Sequence, residues 1–287
     1  MKKLIKRLLP LVFIIALLLL SSCGTGTASS SSEEEKATPT DIHVTVDILK
    51  IGKADCFVIN TGIELIMIDT GEEENLLAIN SYMTANGYDK INKLIITHYD
   101  KDHVGGAYDI INRYGVDTVY ESKYTKNTSE YISYHSVISE NNVNLLKLNS
   151  DTVFESGDCE IEINVPKAKK YSSDKDNNTS LVISLRVGDY SVLFMGDALG
   201  ERISEIINVN TEKYDVIKLP HHGSYIENLK ELLDATSPKY AIATDSKKNP
   251  TDDETLKALS SKDVRLYRTQ NGGIKIEITN DNLNIYQ

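Results

Sequence analysis

From residue 41 onward the apolar positions fall into short runs broken by polar or glycine-containing breaks, which predicts many short elements rather than a few long ones. Segments 42–49, 55–60 and 63–68, rich in Ile and Val, read as three successive strands. Segment 73–86 has helical spacing and is closed by Gly87, and 91–97 is a short apolar strand. A helix over 104–114 ends at Gly115, followed by a strand at 116–120, a helix at 129–140 and a strand at 143–148. A mostly β stretch covers 159–165, 180–187 and 190–195, with Gly188-Asp189 forming a hairpin turn between the last two. Alternation then resumes, with strands at 214–219, 239–244, 264–267 and 273–279 and helices at 226–235 and 252–260. Two blocks of strands, each continued by strand–helix units, predict an α/β fold of two sheets packed face to face with helices outside.

The first 40 residues follow different rules. Lys2, Lys3, Lys6 and Arg7 precede the apolar run 8–20, and Ser21-Ser22-Cys23 follows it. A charged start, a short apolar run and small residues before a cut describe a secretory signal over 1–22. The run is shorter than the roughly 20 residues that span a bilayer. Its ending resembles a bacterial lipoprotein signal, which implies lipidation of Cys23 and anchoring at the outer face of the cell membrane. Residues 23–40 are rich in Ser, Thr and Glu, cannot bury apolar surface, and read as a flexible tether to a domain at 41–287. The net charge of −11 becomes more acidic once the four N-terminal cations are removed, which weighs against a sequence-independent grip on nucleic acid through long-range attraction. It leaves a phosphate substrate open, because a bound metal makes its own positive field. Cys56 and Cys159 have no partner at metal spacing and read as buried free thiols, with a mutual disulfide as the alternative.

The candidate chemistry lies where apolar strands end. Of six histidines, His98 and His103 flank Asp100 and Asp102 after one strand, and His221 and His222 are adjacent after another. Four imidazole and carboxylate groups within six residues form a costly local charge arrangement unless a cation sits among them, and such donors suit zinc, manganese or iron. Asp197 ends the apolar strand 190–195 through Gly196, where a buried carboxylate needs a partner. Asp69 ends the strand 63–68. His43 and His135 read as structural or exposed, and the lysines at 167–170 as a basic patch that either meets phosphate or is merely solvated.

In series, His98-Tyr99-Asp100-Lys101-Asp102-His103-Val104-Gly105-Gly106, Asn178-Thr179-Ser180, Gly196-Asp197 and Pro220-His221-His222-Gly223-Ser224 resemble the metallo-β-lactamase superfamily, and within it the hydrolase domains of the ComEC branch. The resemblance covers most of 41–278 and implies an αββα sandwich of the metallo-β-lactamase type. It implies two divalent ions, zinc or manganese, that activate water for attack on phosphorus or a carbonyl. His98 and Asp100 would hold one ion. Asp102, His103 and one of His221 and His222 would hold the other, written here as His222, with Asp197 bridging and Asp69 orienting a ligand. Asp102, His221 and His222 would serve catalysis, the histidine that is not a ligand steadying the transition state or protonating the leaving group. Three departures stand out. Asp100 replaces the second histidine of the superfamily loop, no histidine lies between His135 and Asp197 for the usual third ligand, and Ile51-Gly52-Lys53-Ala54-Asp55 replaces the branch's first-strand signature. Asn178 or Ser180 would fill the third place weakly.

The resulting expectation is a metal-dependent hydrolase acting on phosphodiester bonds, in nucleic acids or small molecules, outside the membrane. No protein partner is implied. The rivals are a binding lipoprotein on the same fold that has retired from catalysis, and a metal scavenger.

Overall fold

The computed structural model describes residues 41–172, 176–209 and 212–287. The signal, Cys23 and the tether lie outside the described residues. Strands β1 (His43–Ile48), β2 (Phe57–Asn60), β3 (Leu65–Ile68), β4 (Ile91–Ile95), β5 (Val116–Ser122) and β6 (Asn144–Leu148) build most of one sheet. The chain then crosses to a second sheet made of β7 (Thr152–Ser156), β8 (Cys159–Asn164), β9 (Val182–Val187), β10 (Tyr190–Phe194), β11 (Val216–Lys218), β12 (Tyr240–Ala243) and β13 (Arg265–Arg268). β14 (Ile274–Thr279) and β15 (Leu283–Tyr286) return to the first sheet, where β14 pairs antiparallel with β1, Val44 opposite Ile278.

Alternation along the strands divides the interior into three apolar regions. Val44, Val46 and Ile48 of β1, Ile161 and Ile163 of β8 and Ile274, Ile276 and Ile278 of β14 fill the space between the sheets, where Phe57 and Phe194 meet at 5.2 Å between ring centroids. Met67, Leu94 and Val119 of the first sheet face α1 (Leu76–Ala85), α3 (Ala107–Tyr114) and α4 (Ser129–Glu140), which contribute Ile79, Ile110 and Val137. Leu193, Ile217 and Ala241 of the second sheet face α5 (Gly200–Val209), α6 (Leu229–Thr236) and α7 (Asp253–Ser260) through Ile203, Leu232 and Leu259. The order helix, sheet, sheet, helix is the expected αββα sandwich.

Two local expectations change. The helix expected at 104–114 divides into α2 (Lys101–Val104) and α3, with the Gly105-Gly106 junction held against neighbouring backbone. The strand expected from 55 starts at Phe57, leaving Asp55 in the preceding turn. As expected, Cys56 and Cys159 are buried free thiols; they lie in different apolar regions and form no mutual disulfide. Among the described residues no helix is long and apolar enough to cross a membrane.

Candidate metal centre

Five strands deliver the site. β3 runs into Asp69, β4 into Thr97 and His98, β10 into Gly196 and Asp197, β11 into Pro220, His221 and His222, and β12 into Thr244. β3 is parallel to β4, and β10, β11 and β12 are mutually parallel, so each sheet presents these ends along one edge. β2 is antiparallel to β3, with Phe57 opposite Ile68, so its beginning lies at the same edge and the turn before it brings in Asp55. The loop after β4 is pinned by backbone. The Asp55 N–H donates to the Asp102 carbonyl at 3.1 Å and the Thr70 N–H to the His103 carbonyl at 2.7 Å. A Cβ on Gly106 would lie 2.5 Å from the Thr70 carbonyl oxygen, so only glycine allows this approach.

Asp102, His103, Asp197 and His222 converge on one point. His222 Nε2 lies 3.2 Å from Asp102 Oδ2 and 3.1 Å from Asp197 Oδ2, and His103 Nε2 lies 3.3 Å from the same Asp197 oxygen. The far side of each ring is fixed. His103 Nδ1 is 2.7 Å from Asp69 Oδ2, His222 Nδ1 is 2.9 Å from Thr244 Oγ1, and His98 Nδ1 is 3.1 Å from Thr97 Oγ1. Thr97 and Thr244 donate their own protons to Asp69 at 2.7 Å and Asp55 at 2.6 Å, so their oxygens accept from the imidazoles. Each neutral ring therefore carries its proton on Nδ1 and its lone pair on Nε2. All three Nε2 atoms are buried without a hydrogen bond, as is Asp197 Oδ1. Buried polar atoms left unpaired are costly, and imidazole nitrogens aimed at shared carboxylates fit a divalent cation.

Asp55 belongs to this site although no sequence signal assigned it there. Ligand atoms of Asp55, His103, Asp197 and His222 lie within 4.8 Å of one another. Asp55 nevertheless faces the backs of the rings, 3.2 Å from His222 Nδ1 and 3.9 Å from His103 Nδ1, so it orients imidazoles rather than joining the converging atoms. Its carboxylate pairs with Lys218, which ends β11 fully buried, donates to the Gly196 carbonyl at 3.0 Å and lies 3.6 Å from Asp197 Oδ1.

Electrostatics follow from this packing. Burial by itself would lower His222, but Asp197 and Asp55 outweigh it and hold the ring up at about 10. Burial likewise opposes Asp197 ionisation, and His222 and His103 hold its carboxyl well below the usual range. The carboxylates thus favour a proton wherever a cation would sit, so metal binding releases protons. Backbone strain collects here too. Asp69, His221 and His222 all have positive φ, at 57°, 47° and 58°, a conformation that costs a non-glycine residue and persists where the surroundings impose it.

The other expected residues stand apart from this convergence. His221 is half-buried, its ring 6.1 Å from that of His222, and burial lowers its pKa. His98 Nε2 is 3.7 Å from Asp100 Oδ2, and the other Asp100 oxygen pairs with Lys126. Asn178 Oδ1 accepts from the N–H groups of Leu199 and Arg202 at the start of α5, and Ser180 Oγ accepts from the Asp197 N–H. Both oxygens are thus engaged in hydrogen bonds at the start of α5 and at Asp197. His43 pairs with Glu277 on the surface and His135 with buried Glu121.

Residues 50–243 match the family model of the Metallo-beta-lactamase superfamily. The chain is 27% identical to ComE operon protein 3 of Bacillus subtilis, over 82% of this chain and 33% of that protein. It is 28% identical to Recombination protein 2 of Haemophilus influenzae, over 71% of this chain and 24% of that protein. The chain thus spans a third or less of the length of these curated relatives. Among solved structures it is similar to YhfI of Bacillus subtilis, a metallo-beta-lactamase fold protein, with a TM-score of 0.58 and 11% identity over 83% of this chain and all of that one.

Proposed function

The chain belongs to the Metallo-beta-lactamase superfamily, and from that premise we propose that it hydrolyses phosphodiester bonds with a divalent metal, tethered through Cys23 at the outer face of the cell membrane. The observation that carries the reading is the convergence of Asp102, His103, Asp197 and His222, with the Nδ1 sides of both imidazoles already committed. A divalent ion held by these four residues would supply Lewis-acid polarisation of a phosphoryl oxygen and a water of lowered pKa. The chain's own residues do the rest. Asp69, Asp55 and Thr244 hold the ligand rings in register, and Asp102, 27% exposed, turns its carboxylate toward the substrate side. His221, beside the ligand pair, moves a proton to the leaving group.

An anionic substrate is supported by a cavity of about 230 Å³ beside the centre. Lys126, Lys169 and Lys170 line it together with Tyr124, Tyr171 and a single carboxylate, Asp176, a local excess of cations in a chain of net charge −11. The position of Lys169 and Lys170 at this cavity supports the phosphate-binding reading of the 167–170 patch, while Lys167 is engaged by Asp151. The test is turnover of bis(p-nitrophenyl) phosphate, single-stranded DNA and RNA by the full-length chain loaded with zinc or manganese. Cleavage of at least one, lost in Asp197→Ala, is expected; a metal-loaded chain that cleaves none of them refutes the phosphodiester reading. Membrane tethering is checked by metabolic labelling with a fatty-acid analogue, which Cys23→Ser should abolish.

A further inference from the structure

Family resemblance implies a first metal position built on His98 and Asp100. The surroundings of these two residues differ from those of the converging group in three ways. Asp100 is already engaged: one carboxylate oxygen pairs with Lys126 Nζ, and that ammonium is held from its other side by Asp176 Oδ2 at 3.0 Å. The remaining Asp100 oxygen is 3.7 Å from His98 Nε2. The available third donors are spent, since Asn178 Oδ1 caps α5 while Ser180 Oγ donates to the Asn177 carbonyl at 2.7 Å and accepts from Asp197 N–H. A dication between His98 and Asp100 would therefore have only these two ligands besides a bridging Asp197 carboxylate, and an ammonium group already sits on one of them. Like charges that close in a partly desolvated site repel strongly, so ion and ammonium compete for the same carboxylate.

We propose that Lys126 stands in for the first metal: the centre holds one tightly bound divalent ion at Asp102, His103, Asp197 and His222, and Lys126, seated on Asp100, supplies the second positive charge. Lys126 also lines the cavity beside the centre, so its side chain borders both Asp100 and that cavity. This rests on the metal-dependent reading above. It assigns Lys126 the task of drawing a non-bridging phosphoryl oxygen toward the site, work that a second metal performs in a two-metal clamp.

The experiment counts metal. The full-length chain in detergent is stripped with a chelator, reloaded with excess zinc or manganese, desalted and measured by elemental mass spectrometry, with folding checked by circular dichroism. Expected values are one ion per chain in the parent, in Lys126→Arg and in His98→Ala, two in Lys126→Met, and one again in Lys126→Met/His98→Ala. Manganese-loaded parent should give the electron paramagnetic resonance spectrum of an isolated ion, and Lys126→Met that of a coupled pair. Two ions in the parent, or one in Lys126→Met, overturn the proposal while leaving the metal-dependent reading standing. A parent that retains none overturns both.

Discussion

Removing the Lys218 ammonium should destabilise the protein strongly, even with no metal bound. Lys218→Met keeps the length of the side chain but leaves the Asp55 carboxylate buried without its cation. Breaking a buried pair from one side costs about 3–5 kcal/mol, because the remaining charge stays desolvated. A domain of this size loses about 2–4 °C of Tm per kcal/mol, so the metal-free variant should melt roughly 6–20 °C below the metal-free parent. The assay is calorimetry in the presence of chelator, with Asp55→Asn/Lys218→Met alongside. The double variant should recover a large part of the loss, since it removes the orphaned charge. The pH dependence has a definite sign. Burial opposes Asp55 ionisation, yet Lys218 and His222 hold its carboxyl below the ordinary range. The unfolded chain therefore takes up this proton first as pH falls, so the pair's contribution is full above about pH 4 and drains away below it. A Tm loss under about 2 °C, or a double variant no better than the single one, would refute the reasoning.

Three further outcomes are expected. Thr244→Val removes the hydroxyl that accepts from His222 Nδ1 and donates to Asp55, and should weaken zinc binding about 10–100-fold by calorimetric titration with little change in Tm. Gly106→Ala puts a Cβ 2.5 Å from the Thr70 carbonyl oxygen, backbone that cannot swing aside, and should cost about 1–3 kcal/mol in urea unfolding. Burial pushes both remaining thiols up, Cys159 to about 12, so in a Cys23→Ser chain a disulfide-exchange reagent at pH 8 should titrate neither Cys56 nor Cys159 until guanidinium unfolds the protein.

The sequence made the layers legible wherever an element is buried on the side its periodicity predicts. The helix at Ser129–Glu140 and the strand at Ile274–Thr279 lie almost where their patterns put them. β7 and β15 escape because edge strands are only half covered, leaving Val153 and Tyr286 exposed and no apolar run to read. α5 escapes for a different reason. One of its buried positions is Arg202, whose guanidinium is spent on the carbonyls of Asn164 and Ser180 and on Glu205, so its apolar stripe looks broken. In the site, searching for acidic and imidazole groups after apolar strands finds Asp69, Asp102, His103, Asp197 and His222. The same search cannot find Asp55, which precedes a strand, nor Lys218, which lies within one. A charged residue in the apolar run Val216-Ile217-Lys218-Leu219 was the available signal, because a buried lysine needs a buried carboxylate.

The pairing of β14 with β1 bears on how the protein is made. The first sheet lacks an interior strand until Gly273 and the residues after it have joined Val44 and its neighbours. Asp102 and His103 from that sheet must also meet Asp197 and His222 from the other before any cation has a complete set of donors. Contacts this distant in sequence form late. The donor set closes only once His222 has emerged and the two sheets have met, so an ion bound there would come from the compartment in which folding finishes.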